Sequence, residues 1–328
     1  MAKIAVWLTV LILAAVFDLG SLTYVPQNEW DAYVLKYRKT YPDKIAENNA
    51  RYYYAVNKNM IDAHNAKYNK GMKTFSLAVN QFTDMRLIHF NALFPVTTPL
   101  AVSHATVPPL VMPGGPTYNP KSFGYTFNVE DQGIKCNSGW AYASVKAIEI
   151  LKAIHTANYA PVTLSAQNMI DCAGSARACI NQVPQTVFDY LTQYQMNLLD
   201  VMYYKNNNQL GEPGMCLPPM GAPATKLTLY SVLDNDEDLK NYVASSFPVV
   251  VEVNPTSFEF MHYAQGIYQP PATTTKGSHF MTVIGYDIDY WIVQNSFGTT
   301  WGESGLMRIH KSANVKLAKN AIFPTQWA

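Results

Sequence analysis

Gln132-Gly133-Ile134-Lys135-Cys136-Asn137-Ser138-Gly139-Trp140-Ala141 is the run from which the rest of the chain takes its meaning. From Gly139 onward, residues 139–195 carry apolar side chains with helical periodicity. Further on, residues 224–312 read as strands, with Pro248-Val249-Val250-Val251-Glu252-Val253-Asn254 and the stretch from His279 to Gly285 rich in β-branched residues. On the other side, Phe94 to Pro120 holds seven prolines (95, 99, 108, 109, 113, 116 and 120) and a Gly114-Gly115 pair. Such a stretch cannot be helix interior or central strand, so it is expected to be an extended linker. Upstream of it, Trp30, Tyr33, Val34 and Tyr37 fall at i, i+3, i+4 and i+7 within a helical region spanning residues 27–70. A second helix is expected from about Ala46 to Lys67, and Phe75, Leu77 and Val79 then alternate as a short strand.

Composition narrows the function classes. The 328 residues carry 24 Lys+Arg against 23 Asp+Glu, a net charge of +1, which argues against a nucleic-acid binder. A hydrophobic fraction of 48% is enough for a real core and excludes disorder. The charges are unevenly divided: residues 22–109 hold 10 basic and 6 acidic side chains, residues 110–328 hold 13 and 16. A basic leader and an acidic body attract each other, although salt screening keeps that term small. Lys3 followed by the apolar run Ile4–Phe17 and the small residues Gly20 and Ser21 reads as a signal peptide over residues 1–20. That predicts a secreted, extracellular chain with no membrane attachment after cleavage, in a compartment where disulfides persist. The four cysteines include no C-x-x-C pair, so no metal site and no cofactor are expected.

Separated segments then resemble one family, the papain-like cysteine peptidases. Glu47, Arg51, Tyr54, Asn57, Ile61 and Asn65 fit its helical propeptide pattern E-x3-R-x2-F-x2-N-x3-I-x3-N, with Tyr for Phe. Asn80, Phe82 and Asp84 resemble its second propeptide motif, G-x-N-x-F-x-D, with Ala78 for Gly. The opening run resembles Q-G-x-C-G-S-C-W-A, and Leu164-Ser165-Ala166-Gln167-Asn168-Met169-Ile170-Asp171-Cys172 resembles L-S-E-Q-x-L-V-D-C. Ser278-His279 precedes a strand, and Asn295-Ser296-Phe297-Gly298 with Trp301-Gly302-Glu303-Ser304-Gly305 resembles N-S-W-G…W-G-x-x-G. A narrower likeness, in Val183–Leu191, Val201–Lys205 and Tyr290–Ser296, is to mite group-1 allergens and the inactivated scabies-mite paralogues of this family. Seed proteins with a glycine at the same position are the competing branch.

The resemblance implies an α+β, papain-like fold of two domains: a helical left domain over about 120–222 plus the chain's end, and a β-barrel right domain over about 223–318. It also implies an inhibitor-type propeptide over residues 21–100, a processing linker over 101–119 and a peptidase domain over 120–328. The same comparison implies bridges Cys136–Cys179 and Cys172–Cys216. By family role, His279 is the base, Asn295 holds its imidazole, and Gln132 is the oxyanion donor.

The departures bear directly on function. Gly139 stands where the nucleophilic cysteine belongs, and glycine has no side chain with which to attack a carbonyl. Ser138 is one residue off, rotated by about 100° around the helix, and Cys136 matches a disulfide position. The extra residue in Ile134-Lys135 is expected to shift Gln132 relative to the pocket. Cys179-Ile180-Asn181-Gln182 replaces the family's C-x-G-G, placing side chains where a substrate backbone would pair, and Trp301 is expected as a cleft-wall aromatic. The reading is a secreted, catalytically inactive peptidase homologue that acts by binding. Its expected partners are its own propeptide and an unidentified host or extracellular protein. The alternatives are a working endopeptidase with a substituted nucleophile and a propeptide-type peptidase inhibitor.

Overall fold

The computed structural model describes residues 24–98, 115–159, 161–174, 178–180, 182–205, 213–217, 221, 224–272, 275–312 and 317–327. The expected signal peptide, residues 99–114 of the linker and Asn181 lie outside the described residues. The leader begins with α1 (Gln27–Lys36), whose Trp30 and Tyr33 are buried against α2 (Lys44–Tyr68). Asp43 caps α2 by accepting from the Ala46 N–H at 2.8 Å. The helices cross on an aromatic core in which Trp30 and Tyr33 stack at 5.5 Å and Tyr54 lies 4.6 Å from Tyr33.

The spaced residues of α2 each have a task. Glu47 accepts from Trp30 Nε1 at 3.1 Å, Arg51 donates to Gln27 at 2.6 Å and to the Val25 carbonyl, and the Tyr54 hydroxyl donates to Glu29 at 2.8 Å. Asn57 Nδ2 donates to the carbonyls of Thr83 and Met85, both at 2.8 Å, and Asn65 exchanges two hydrogen bonds with the Leu77 backbone. Ile61 is buried in the core shared with the body. The helix therefore clamps the chain that returns along it, including the strand β1 (Phe75–Leu77). Asp84 ties α1 to that returning chain by accepting from Tyr33, Lys39 and Tyr41 at 2.7–2.9 Å. A short α3 (Leu87–Ala92) ends the leader's helices.

The body opens its helical half with α4 (Gly139–His155), nearly every residue of which is buried. It continues with α5 (Ala166–Met169), α6 (Gln185–Thr192) and the two-stranded pair β2 (Leu198–Leu199) and β3 (Ala224–Thr225). The bridges Cys136–Cys179 and Cys172–Cys216 fasten these elements, with Cα–Cα distances of 4.7 and 4.8 Å. Inside α4, Lys146 and Glu149 form a buried ion pair at 2.6 Å, and Glu149 also accepts from the Leu164 N–H at 3.0 Å.

The strand half holds β4 (Leu227–Leu233), α7 (Asp236–Ala244), β5 (Val249–Val253), α8 (Phe258–Met261), β6 (Tyr263–Tyr268), β7 (His279–Tyr286), β8 (Tyr290–Gln294), β9 (Leu306–His310) and β10 (Ala321–Trp327). Eight strands form one sheet in the order β1-β6-β9-β8-β7-β5-β10-β4. The leader thus contributes an edge strand: β1 pairs antiparallel with β6, Phe75 opposite Gly266. The chain's end joins both halves: β10 is a strand of the large sheet, laid along β4 from Leu233 to Leu227, and its Ile322 is buried in the core cluster of the helical half with Trp140 and Phe188.

Candidate active site

Four elements converge on one point of the groove between the two halves. Gly139 opens α4, Gln132 comes from the loop before it, His279 opens β7, and Asn295 follows β8. The order of the sheet places β7 beside β8, Thr282 opposite Gln294, which brings His279 and Asn295 together from 16 residues apart. His279 Nε2 lies 2.7 Å from Asn295 Oδ1. The imidazole is fully buried, and that burial pushes its pKa down to about 4, with the Asn295 bond opposing the shift. It is therefore neutral at physiological pH: Nε2–H donates to Asn295 and Nδ1 carries the lone pair. That Nδ1 has no hydrogen-bond partner among the described residues.

Nδ1 faces Gly139. A Cβ on Gly139 would meet Nδ1 and Cε1 of His279, each at 2.9 Å, and Gln132 Oε1 at 3.1 Å. The ring has closed over the glycine into the volume a nucleophile's side chain needs. It is held there by stacking on Phe297 (4.8 Å, 23°) and by the edge of Phe94 (5.1 Å), which comes from the leader.

Gln132 corrects an expectation. The extra residue in Ile134-Lys135 does not carry it away from the pocket. The Gln132 N–H donates to the Ser296 carbonyl at 2.8 Å, and Gln132 Oε1 accepts from Ser296 Oγ at 2.6 Å. Next to it, Gly133 turns at φ +71° with its N–H on Asp131 Oδ1, and Ile134 is exposed. It is the amide oxygen of Gln132, however, that borders the hollow, where an oxyanion hole needs a donor.

The other predicted residues fall around this point. Ser138 is fully buried, and its Oγ donates to the Cys136 carbonyl at 3.4 Å. Gln182 accepts from Thr186 Oγ1 at 2.9 Å and so lies along the start of α6. Trp301 backs the groove wall from behind: it is fully buried, 5.5 Å from Phe297, and its Nε1 donates to the Phe260 carbonyl at 3.2 Å. The residues that sequence reasoning missed come from the leader. Phe94 packs on His279 and Phe297, Thr97 donates its N–H to Ser278 Oγ at 2.9 Å, and Gln81 Nε2 donates to the Phe297 carbonyl at 2.6 Å. Asn80 Nδ2 adds a bond to the Met261 carbonyl at 2.8 Å. The signal available was Phe94 standing at the mouth of the proline-rich stretch, two residues beyond α3. Among the described residues no group of histidines, cysteines and carboxylates could hold a metal ion, and no helix is long and apolar enough to cross a membrane.

Comparison with known proteins agrees with this arrangement. The family model described as papain family cysteine protease matches residues 119–325, and that of the cathepsin propeptide inhibitor domain (I29) matches residues 30–87. The chain is 30% identical over 312 residues to cathepsin J of Rattus norvegicus, covering 90% of this chain and 91% of the relative. Among solved structures, digestive procathepsin L 3 of the Tenebrio molitor larval midgut is similar with a TM-score of 0.80 and 26% identity, covering 92% of this chain and 99% of that one. A chain from a study of antibody cross-reactivity between the mite allergens Blo t 1 and Der p 1 shares the fold, with a TM-score of 0.73 at 19% identity over 90% of this chain and 98% of that one.

Proposed function

Because the chain belongs to the papain family of cysteine peptidases, whose chemistry runs on a cysteine thiolate, and carries glycine at the thiol's place, we propose that it is a catalytically inactive member that acts by binding. One observation carries this reading: at the N-terminus of α4, where unpaired N–H groups would stabilise a thiolate, Gly139 lies under the unpartnered Nδ1 of His279. A neutral imidazole with no thiol or hydroxyl to deprotonate is a base without a nucleophile. The vestigial set is Gly139, His279, Asn295 and Gln132. By the sequence, Asn181 and Gln182 replace the glycines that line a substrate-binding groove, while Trp301 backs the wall from behind.

The same reading places the protein in the secretory route, supported by the apolar leader at residues 1–20 and the two bridges. Residues 21–100 act as the propeptide and 101–119 as the segment that joins it to the body at 120–328. The leader occupies the groove through Phe94 and Thr97, so the propeptide is the first partner. A second, extracellular protein, of a host where the organism has one, is the target of the exposed form. The test uses the full chain with a cleavage site introduced between residues 98 and 115, cut under native conditions. No turnover of a fluorogenic peptide panel and no labelling by a thiol-reactive active-site probe are expected. Turnover that a thiol blocker abolishes supports the endopeptidase alternative instead.

A second reading has its own observation. Val25, Trp30, Tyr33, Ala50, Tyr54 and Ala55 give the leader a hydrophobic cluster of its own, and the spaced residues of α2 are all engaged. The propeptide released from this chain would then act as an inhibitor of active relatives. Inhibition of an active cathepsin by the cut chain, and not by the uncut chain, is the result it requires.

A further inference from the structure

Leader and body share a second hollow, of about 310 Å³, at the lower end of the size range of small-ligand sites. The sequence builds it at the edge of the large sheet. After α2 the chain turns at Gly71 (φ +71°), whose N–H donates to the Tyr68 carbonyl at 2.9 Å, and Met72, Lys73 and Thr74 lead into β1. β1 can lie along β6 because Gly266 has no side chain: a Cβ there would meet the Thr74 carbonyl oxygen and Phe75 Cα. Beyond β6 the chain runs into Pro270-Pro271, whose rings fix the backbone and stiffen that wall. The leader therefore supplies one wall of the hollow and the body the other.

Two opposite charges line it. Lys73 comes from the leader, and the half-buried Glu259 comes from the first turn of α8. Among the described residues neither takes part in an ion pair; the six pairs present all involve other residues. Both charges act on one side chain, His64, whose ring packs on Phe75 at 4.9 Å. Burial lowers the pKa of that imidazole, Lys73 lowers it further, and Glu259 opposes them. Much of the remaining wall is apolar, made by Met72, Phe75, Pro270 and Pro271. The ligand that matches such a wall carries one group of each sign on an apolar body.

We propose that this hollow binds a small zwitterion with an apolar body, of the class of α-amino acids and dipeptides, its ammonium group on Glu259 and its carboxylate on Lys73. A ligand held by both walls binds the form in which leader and body are joined, and so shifts the chain towards that form by mass action. The site gives a small molecule control over how readily the leader leaves the groove. It does so whether or not the chain turns over peptides.

The test titrates the full-length chain with leucine, leucyl-leucine and N-acetyl-leucyl-leucine amide by ligand-observed NMR at fixed salt and neutral pH. The amide has the dipeptide's apolar body without either charge, and the first two probes separate free amino acid from peptide. At least one zwitterion is expected to bind about tenfold tighter than the amide, the scale of one hydrogen-bonded charge contact. Glu259→Gln and Lys73→Met should each reduce that preference. The bound zwitterion should also slow amide exchange at Ile267, whose N–H donates to the Thr74 carbonyl at 3.0 Å across the seam between body and leader. Equal binding of zwitterions and amide, no binding of any probe, a preference that survives both substitutions, or binding that leaves Ile267 unchanged overturns the proposal.

Discussion

A cysteine at position 139 needs room for a carbon and a sulfur, and the imidazole of His279 already stands 2.9 Å from where the carbon would go. Heavy atoms essentially never approach a Cβ so closely, so Gly139→Cys must push the ring off Phe297 or off Asn295. The change is expected to destabilise the chain by about 1–3 kcal/mol, as overpacking of a tight site does. It should restore negligible turnover, with chemical denaturation and a fluorogenic assay reading the two effects. Displacement of Gln132 is not the reason for the weak recovery, since Gln132 remains in the pocket, anchored on Ser296 by its backbone N–H and by its side chain. An insertion can be counted in a sequence, but counting does not reveal that Gln132 keeps its place through bonds to Ser296, 164 residues away. The His279–Asn295 pair was legible because both residues sit in recognisable motifs. The contact of Phe94 with His279 was not, because it joins two parts of the chain 185 residues apart with no pattern between them.

At the scale of elements, α4 rests on the buried pair Lys146–Glu149, whose partners are 6% and 1% exposed. Lys146→Ala would leave a buried carboxylate uncompensated and is expected to cost about 3–5 kcal/mol. A shift in the urea midpoint reads this directly, and Lys146→Ala with Glu149→Leu should recover part of the loss. The leader's hold on the body depends on close backbone approach. A Cβ at Gly277 would meet the Phe94 carbonyl oxygen at 2.6 Å and Thr256 Cγ2 at 2.7 Å. Gly277→Ala should therefore loosen the Phe94–Thr97 segment without touching the disulfides, seen as faster amide exchange at Thr97, whose N–H is held by Ser278. The helices of the leader and the strand-rich half were readable from periodicity and β-branched runs. The role of β10 was not, because Ala321–Trp327 carries no strand alternation clear enough to separate it from a tail; its pairing with β4 decides it.

For the whole molecule, two features make stability measurable against chemistry. All four cysteines are bridged, so thiol titration of the unreduced, denatured chain is expected to find no free group. Loss of either bridge should cost about 2–4 kcal/mol. Burial holds both His279 and His262 down to about 4 from an ordinary value of 6.5. Between those limits the unfolded chain binds more protons than the folded one. Their contribution is therefore fully present above pH 6.5 and is lost as the pH falls towards 4, on the order of 3 kcal/mol for each histidine. Denaturation midpoints should be flat above neutrality and fall on acidification, and His262→Leu should flatten part of that slope.

The central claim is that the chain keeps a peptidase's fold without its chemistry. The most direct measurement compares the peptide hydrolysis rates of the parent chain and His279→Ala, both opened at the same introduced cleavage site and run side by side. The account predicts that the two rates are the same and equal to the uncatalysed background, because a base with no nucleophile contributes nothing for its removal to take away. A parent rate above background that falls with His279→Ala would contradict it, and would mean that some other group of the chain has taken over the work of the missing cysteine.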